Sequence, residues 1–129
     1  MPFLKDLCGS SLPHVRVAVA KAFKDFSMYE NARYTMIEAG CCESILKLVS
    51  YPEIESYRID VVTTVANLTN AVDGRERMIK DGIVSCVVKL GNDGDTINNK
   101  KLVACAMANL TGGENARSEE TMQHAQLLL

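Results

Sequence analysis

No stretch of this 129-residue chain approaches eighteen consecutive apolar residues, which excludes an ordinary membrane-spanning helix. The first twelve residues lack the basic start and the apolar run of about 7 to 15 residues that a secretory signal needs. Cytosol or nucleus is therefore the expected compartment. Positive charge is not in excess: 14 Lys and Arg stand against 16 Asp and Glu, for a formal charge of −2 and a pI near 5.7. That balance has the wrong sign for a nucleic-acid partner. The cysteines are odd in number and spread along the chain, at Cys8, Cys41, Cys42, Cys86 and Cys105, which is not a secreted disulfide framework. Adjacent cysteines point in different directions from a helix, and Cys41 and Cys42 have no His or Asp close by in sequence, so no metal site is expected. They read as small, reduced, buried or half-buried residues.

The chemistry of catalysis is missing as well. The two histidines, His14 and His124, lie at opposite ends of the chain, and no Ser or Cys sits beside a base in a nucleophile motif. Thr111-Gly112-Gly113-Glu114 follows a helical pattern, where glycine ordinarily terminates a helix rather than cradling a phosphate. Asp93-Gly94-Asp95 invites a calcium reading, but counting from Asp93 places Ile97 at the fifth loop position and Asn98 where glycine is required. The expectation is a non-enzyme without cofactor or metal.

What the chain does have is internal repetition. Ala66-Asn67-Leu68-Thr69 recurs as Ala108-Asn109-Leu110-Thr111, 42 positions later. The same offset lays Arg33 on Arg75 on Arg117, Met36-Ile37 on Met78-Ile79, Gly40 on Gly82, Lys47-Leu48 on Lys89-Leu90, and Val61 on Val103. Residues 31–72 and 73–114 share eleven identities in 42 positions. A period of 20 to 50 residues means a solenoid or array.

Each unit resolves into three helices. Residues 33–38 form a short first helix that Gly40 ends, since glycine accepts the positive φ a helix terminus needs. Residues 42–49 form a second, burying Ile45, Leu46, Leu48 and Val49, and Ser50-Tyr51-Pro52 breaks it. Residues 54–70 form a long third helix with Val61, Val62, Val65, Leu68 and Val72 on a buried face and Asp60, Thr63, Thr64, Asn67 and Asn70 on a polar one. In the second copy Gly82 is the break, 85–90 the second helix, 91–95 the loop and 99–110 the core of the third helix. Residues 13–28 align as the third helix of an earlier unit, with Phe3, Leu4 and Leu7 in a second helix before it. Asn115-Ala116-Arg117 restarts the pattern. The organisation is one domain: 1–30 a partial repeat, 31–72 and 73–114 full repeats, 115–129 the start of a divergent one. Both ends look cut, as in a fragment of a longer array or a degenerate copy of one.

A 42-residue unit with a glycine-terminated short helix, a leucine-rich second helix and a third helix ending Ala-Asn-Leu-Thr resembles the armadillo repeat, over about residues 13–117. The HEAT repeat is the competing resemblance, because Leu12-Pro13-His14-Val15-Arg16 suits a HEAT helix start; the glycine-terminated helix, present twice, favours armadillo. The resemblance implies an all-α, right-handed superhelical solenoid whose third helices line a concave groove. It also implies a protein partner, held as an extended segment, with the asparagine near the end of each third helix gripping its backbone. Those positions are Asn67 and Asn109, and a carboxamide supplies both donor and acceptor for that task.

Two departures qualify the implication. The earlier unit carries Asp25 in place of the asparagine, and because aspartate only accepts, the ladder is expected to be incomplete there. The family's nuclear-import receptors place a tryptophan one turn before that asparagine; here the positions hold Lys21, Thr63 and Cys105, and the chain has no Trp, so the aromatic walls that sandwich lysine stems are absent. The expected partner-binding face comprises Asp60, Thr63, Thr64, Asn67, Asn70, Cys105 and Asn109. A helix-end asparagine can equally tie neighbouring repeats together. Function accordingly reads as a protein-interaction scaffold, with a structural spacer in a longer scaffold, or a recruiting segment of a multidomain enzyme such as a ubiquitin ligase or signalling hydrolase, as alternatives.

Overall fold

The computed structural model describes residues 12–93 and 96–112; the expectations for Phe3, Leu4, Leu7, Cys8, residues 115–117 and His124 lie outside them. Among the described residues there are seven α-helices and no strand. In chain order they are α1 (Pro13–Ser27), α2 (Glu30–Glu38), α3 (Cys41–Val49), α4 (Arg58–Leu68), α5 (Arg75–Lys80), α6 (Ile83–Asp93) and α7 (Ile97–Thr111), with 3-10 turns at Pro52–Ser56 and Val72–Gly74. In order, α2, α3 and α4 correspond to α5, α6 and α7, and α3 and α6 start 42 residues apart.

Local chemistry explains each junction. Pro13 opens α1, where its missing N–H costs nothing. Gly40 and Gly82 adopt φ of 80° and 95°, the left-handed region that lets a first helix turn directly into a second. The third helices lie side by side, α1 against α4 and α4 against α7, and the second helices α3 and α6 pack together behind them. Between these layers sit Phe23, Met36, Ile37, Ile45, Leu48, Leu68, Met78, Ile83, Leu90 and Leu110, all at most 1% exposed. A helix taken alone would leave its apolar stripe in water; stacking neighbours bury it.

Several boundaries differ from expectation, each for a physical reason. The third helix of the first copy is not continuous over 54–70. Pro52 leads a 3-10 turn, Tyr57 breaks the helical path at φ −140°, and α4 starts only at Arg58. Tyr57 is fully buried and donates its hydroxyl to Leu48 O at 2.5 Å, a carbonyl at the end of α3 that otherwise accepts only the long 3.5 Å bond from Tyr51 N. In the second copy Asn99 takes over that task, donating Nδ2 to Leu90 O at 3.1 Å. The loop expected at 91–95 is helical through Asp93, because nothing in Gly91 to Asp93 acts as Pro52 does on α3. Val72, expected in the core, is 61% exposed, since α4 has already ended and the chain has entered a 3-10 turn.

The recurrence of Arg33 and Arg75 also has a cause. Arg33 Nε donates to Ser27 O at 2.6 Å, and Arg75 Nε to Thr69 O at 2.9 Å. In each case the first helix of a unit sends a guanidinium back to the C-terminal carbonyls of the third helix before it, where positive charge is favoured. Cys41, Cys42 and Cys86 are fully buried free thiols. The adjacent Cys41 thiol and then burial push Cys42 far above the ordinary thiol range, and burial pushes Cys86 up to about 12. Cys42 and Cys86 therefore stay protonated, and all three side chains pack as small apolar groups.

Candidate partner-binding face

The face presented by α1, α4 and α7 is built from positions that recur every 42 residues. Near the C-terminal ends, Asn67 Nδ2 donates to Ser27 Oγ at 3.1 Å and Asn109 Nδ2 donates to Thr69 Oγ1 at 3.2 Å. The two contacts are one interaction repeated, since Ser27 and Thr69 are themselves one period apart. Each hydroxyl spends its hydrogen within its own helix, Ser27 on Lys24 O at 2.7 Å and Thr69 on Ala66 O at 2.9 Å. A hydroxyl has a single hydrogen, so towards the asparagine it can only accept. That settles which way each carboxamide points: nitrogen to the preceding repeat, oxygen away from it.

Asn109 spends its second hydrogen on Asn70 Oδ1 at 3.1 Å, and its nitrogen lies 3.9 Å from Cys105 Sγ. In the earlier unit the residue equivalent to Asn70 is Met28, so Asn67 has no such second acceptor. Neither Asn67 Oδ1 nor Asn109 Oδ1 has a partner among the described residues, and neither is among the buried unpaired atoms. Both oxygens are therefore open to solvent.

The other expected residues divide. Thr63 is half-buried and donates to Ile59 O at 2.7 Å. Asp60 pairs with Lys24 across α1 and α4 at 3.3 Å. Asn70 and Cys105 are exposed. Thr64 does not belong to the face: it is fully buried, its hydroxyl donating to Asp60 O at 2.7 Å. A signal for this was present, because Thr64 aligns with Ala106, an apolar residue that is also buried.

Sequence reasoning missed the ion pair at the upper edge. Arg16 is 5% exposed, lies 3.8 Å from the centroid of the Tyr51 ring and pairs with Glu53, joining α1 to the turn before α4. A guanidinium stacked on an aromatic face and bonded to a carboxylate is well compensated for burial. Arg58, one period on, bonds Glu55 at 2.6 Å and holds that carboxyl below its usual range. Among the described residues no group of three or more His, Cys, Asp and Glu could hold a metal ion, and no helix is long and apolar enough to cross a membrane.

No family model and no curated protein matches the chain. Among solved structures it is similar to a designed armadillo repeat protein, with a TM-score of 0.81 and 20% identity, over 98% of this chain and 53% of that one. The chain thus spans about half the length of its structural neighbour. With three third helices side by side, second helices stacked behind them and glycine-broken first helices, the chain has the fold of an armadillo-like α-solenoid.

Proposed function

We propose that the chain is a protein-binding scaffold that holds an extended segment of a partner along α1, α4 and α7. The supporting observation is the pair of solvent-open carboxamide oxygens on Asn67 and Asn109, held in one fixed orientation one repeat apart. Packed helices lie about 8 to 10 Å apart, and an extended strand advances about 3.3 Å per residue, so each repeat meets two or three residues of such a segment. Asn70 and Cys105 lie beside Asn109, and Thr63 and Asp60 stand one and two turns before Asn67 on α4; these four supply the rest of the contact surface, and the buried Thr64 supports it from beneath.

A specific observation favours one other reading. Because each asparagine also bonds the preceding repeat, a spacer in a longer scaffold would keep the same residues for stacking alone. Peptide selection separates the two. A displayed library of random twelve-residue peptides, panned on the folded chain, should yield sequences whose binding falls about tenfold or more in the Asn67→Ala, Asn109→Ala variant once circular dichroism shows that variant to be folded. Selected peptides that bind the variant equally well, or no selection at all, would leave the spacer reading standing.

A further inference from the structure

We infer that Asp25 is the third member of the asparagine row, and that the row receives its partner by accepting hydrogen bonds from the partner's backbone N–H groups. The inference rests on the binding role proposed above. The Asp25 position, one period before Asn67, looks at first like a gap, because a carboxylate cannot donate. The geometry removes that objection. Asn109 spends both amide hydrogens on Thr69 and Asn70, and Asn67 turns its nitrogen to Ser27. Each of these side chains turns an unpartnered oxygen outward, and of the two only Asn67 keeps an amide hydrogen unspent. Asp25 offers the same, so the three third helices present acceptors at equivalent positions.

Two further observations point the same way. Asp25 is exposed and its carboxylate has no partner among the described residues, although it stands in the last turn of α1. Negative charge at a helix C-terminus opposes the helix dipole, so the fold gains nothing from it there. Lys21 lies one turn earlier on the same face and is also exposed. Its charge offsets that of Asp25, which makes the position a hydrogen-bond acceptor more than a cation site. An extended backbone meets this need: it carries N–H groups at regular intervals, and a charge-assisted bond to a carboxylate is stronger than one to a neutral oxygen.

The peptides selected on the intact chain provide the probe. A representative twelve-residue peptide is remade as a set of singly N-methylated versions, each lacking one N–H, and their dissociation constants are measured against the chain and against Asp25→Ala and Asp25→Asn. Methylation at as many as three positions, two or three residues apart, should weaken binding by about tenfold or more. Asp25→Ala should show a loss of the same order, while Asp25→Asn, which keeps an oxygen, stays within about threefold. Because Asp25 supports no contact in the fold, its variants should melt no lower than the parent.

Tolerance of N-methylation throughout, or full affinity in Asp25→Ala, would overturn the inference while leaving the scaffold reading intact, provided binding still needs Asn67 and Asn109. Peptides that bind through lysine or arginine side chains with every backbone N–H dispensable would overturn it in the same way. If no peptide is selected, or if selected peptides ignore Asn67 and Asn109, the scaffold reading fails and takes this inference with it.

Discussion

At the scale of single residues, Asn109 and Thr69 show how one side chain serves two ends. The carboxamide nitrogen ties α7 to the end of α4, and the same bond orients the oxygen outward. The recurrence of Asn67 and Asn109 was legible in the sequence. Their partners were not, because Ser27 and Thr69 are 40 residues away and look like ordinary helix-end hydroxyls. The tie has a measurable cost. Thr69→Val, which keeps the shape and removes the acceptor, should destabilise by about 1 to 2 kcal/mol, and a double-mutant cycle with Asn109→Ala should give a coupling of about 0.5 to 1.5 kcal/mol in urea unfolding. Zero coupling would mean that the asparagine faces the partner alone. Asn67→Ala should cost about 1 kcal/mol, against about 2 to 5 kcal/mol for the cavity left by Leu68→Ala. Buried acids add a pH dependence. Cys86, at about 12 against an ordinary 9.0, and Tyr57, which burial raises to about 12 from 10.0, both bind their protons more tightly when folded. Their contribution is complete below pH 9 and declines as pH rises from 9 towards 12. The denaturation midpoint should fall over that range, and Cys86→Ala should make the fall shallower without moving its onset, because Cys42, also raised in the folded chain, still begins to lose its proton from the unfolded state near pH 9.

At the scale of elements, the periodic pattern located every helix within the described residues and misplaced several ends. The reason is that hydrophobic period reports which face is buried, whereas an end depends on one or two residues that stop the helix. Pro52 stops α3; the second copy lacks such a residue, and α6 runs through Asp93. Tyr57 splits the expected third helix because its buried hydroxyl must reach Leu48 O, a tertiary demand that no local spacing encodes. The glycine breaks, by contrast, were fully legible, since positive φ narrows the choice to one residue type. Gly40→Ala and Gly82→Ala should therefore each lower stability by about 1 to 2 kcal/mol. At Gly82 a Cβ would also stand 3.0 Å from Leu46 Cδ1, so that side chain must shift as well. Asparagine, which tolerates the left-handed region better, should recover part of the loss at Gly40. Thermal melts of the three variants against the parent test these losses; equal stability of Gly40→Ala and the parent would show that α2 and α3 can join by another path.

At the scale of the whole molecule, the described residues form a one-dimensional stack in which α4 is flanked on both sides and α1 and α7 face one another only through it. Stability in such a stack is a sum of each unit's own contribution and its interfaces with neighbours. The central helix has two interfaces, reinforced by Lys24 to Asp60 and Ser27 to Asn67 on one side and by Thr69 to Asn109 on the other. Among the described residues, opening α4 must break both sets, whereas opening α1 breaks only the first, together with Arg16 to Glu53 and Arg33 to Ser27. Native-state hydrogen exchange should therefore find the slowest amides in α4, around Val62, Val65 and Leu68, with α1 exchanging through a smaller local opening. The same logic makes Leu68→Ala a global perturbation: it should lower protection in all three third helices together, while Phe23→Ala should lower it mainly in α1 and leave α7 near its original rates. Uniform loss of protection from Phe23→Ala would show instead that the described repeats unfold as a single unit, with interfaces strong enough that no helix opens alone.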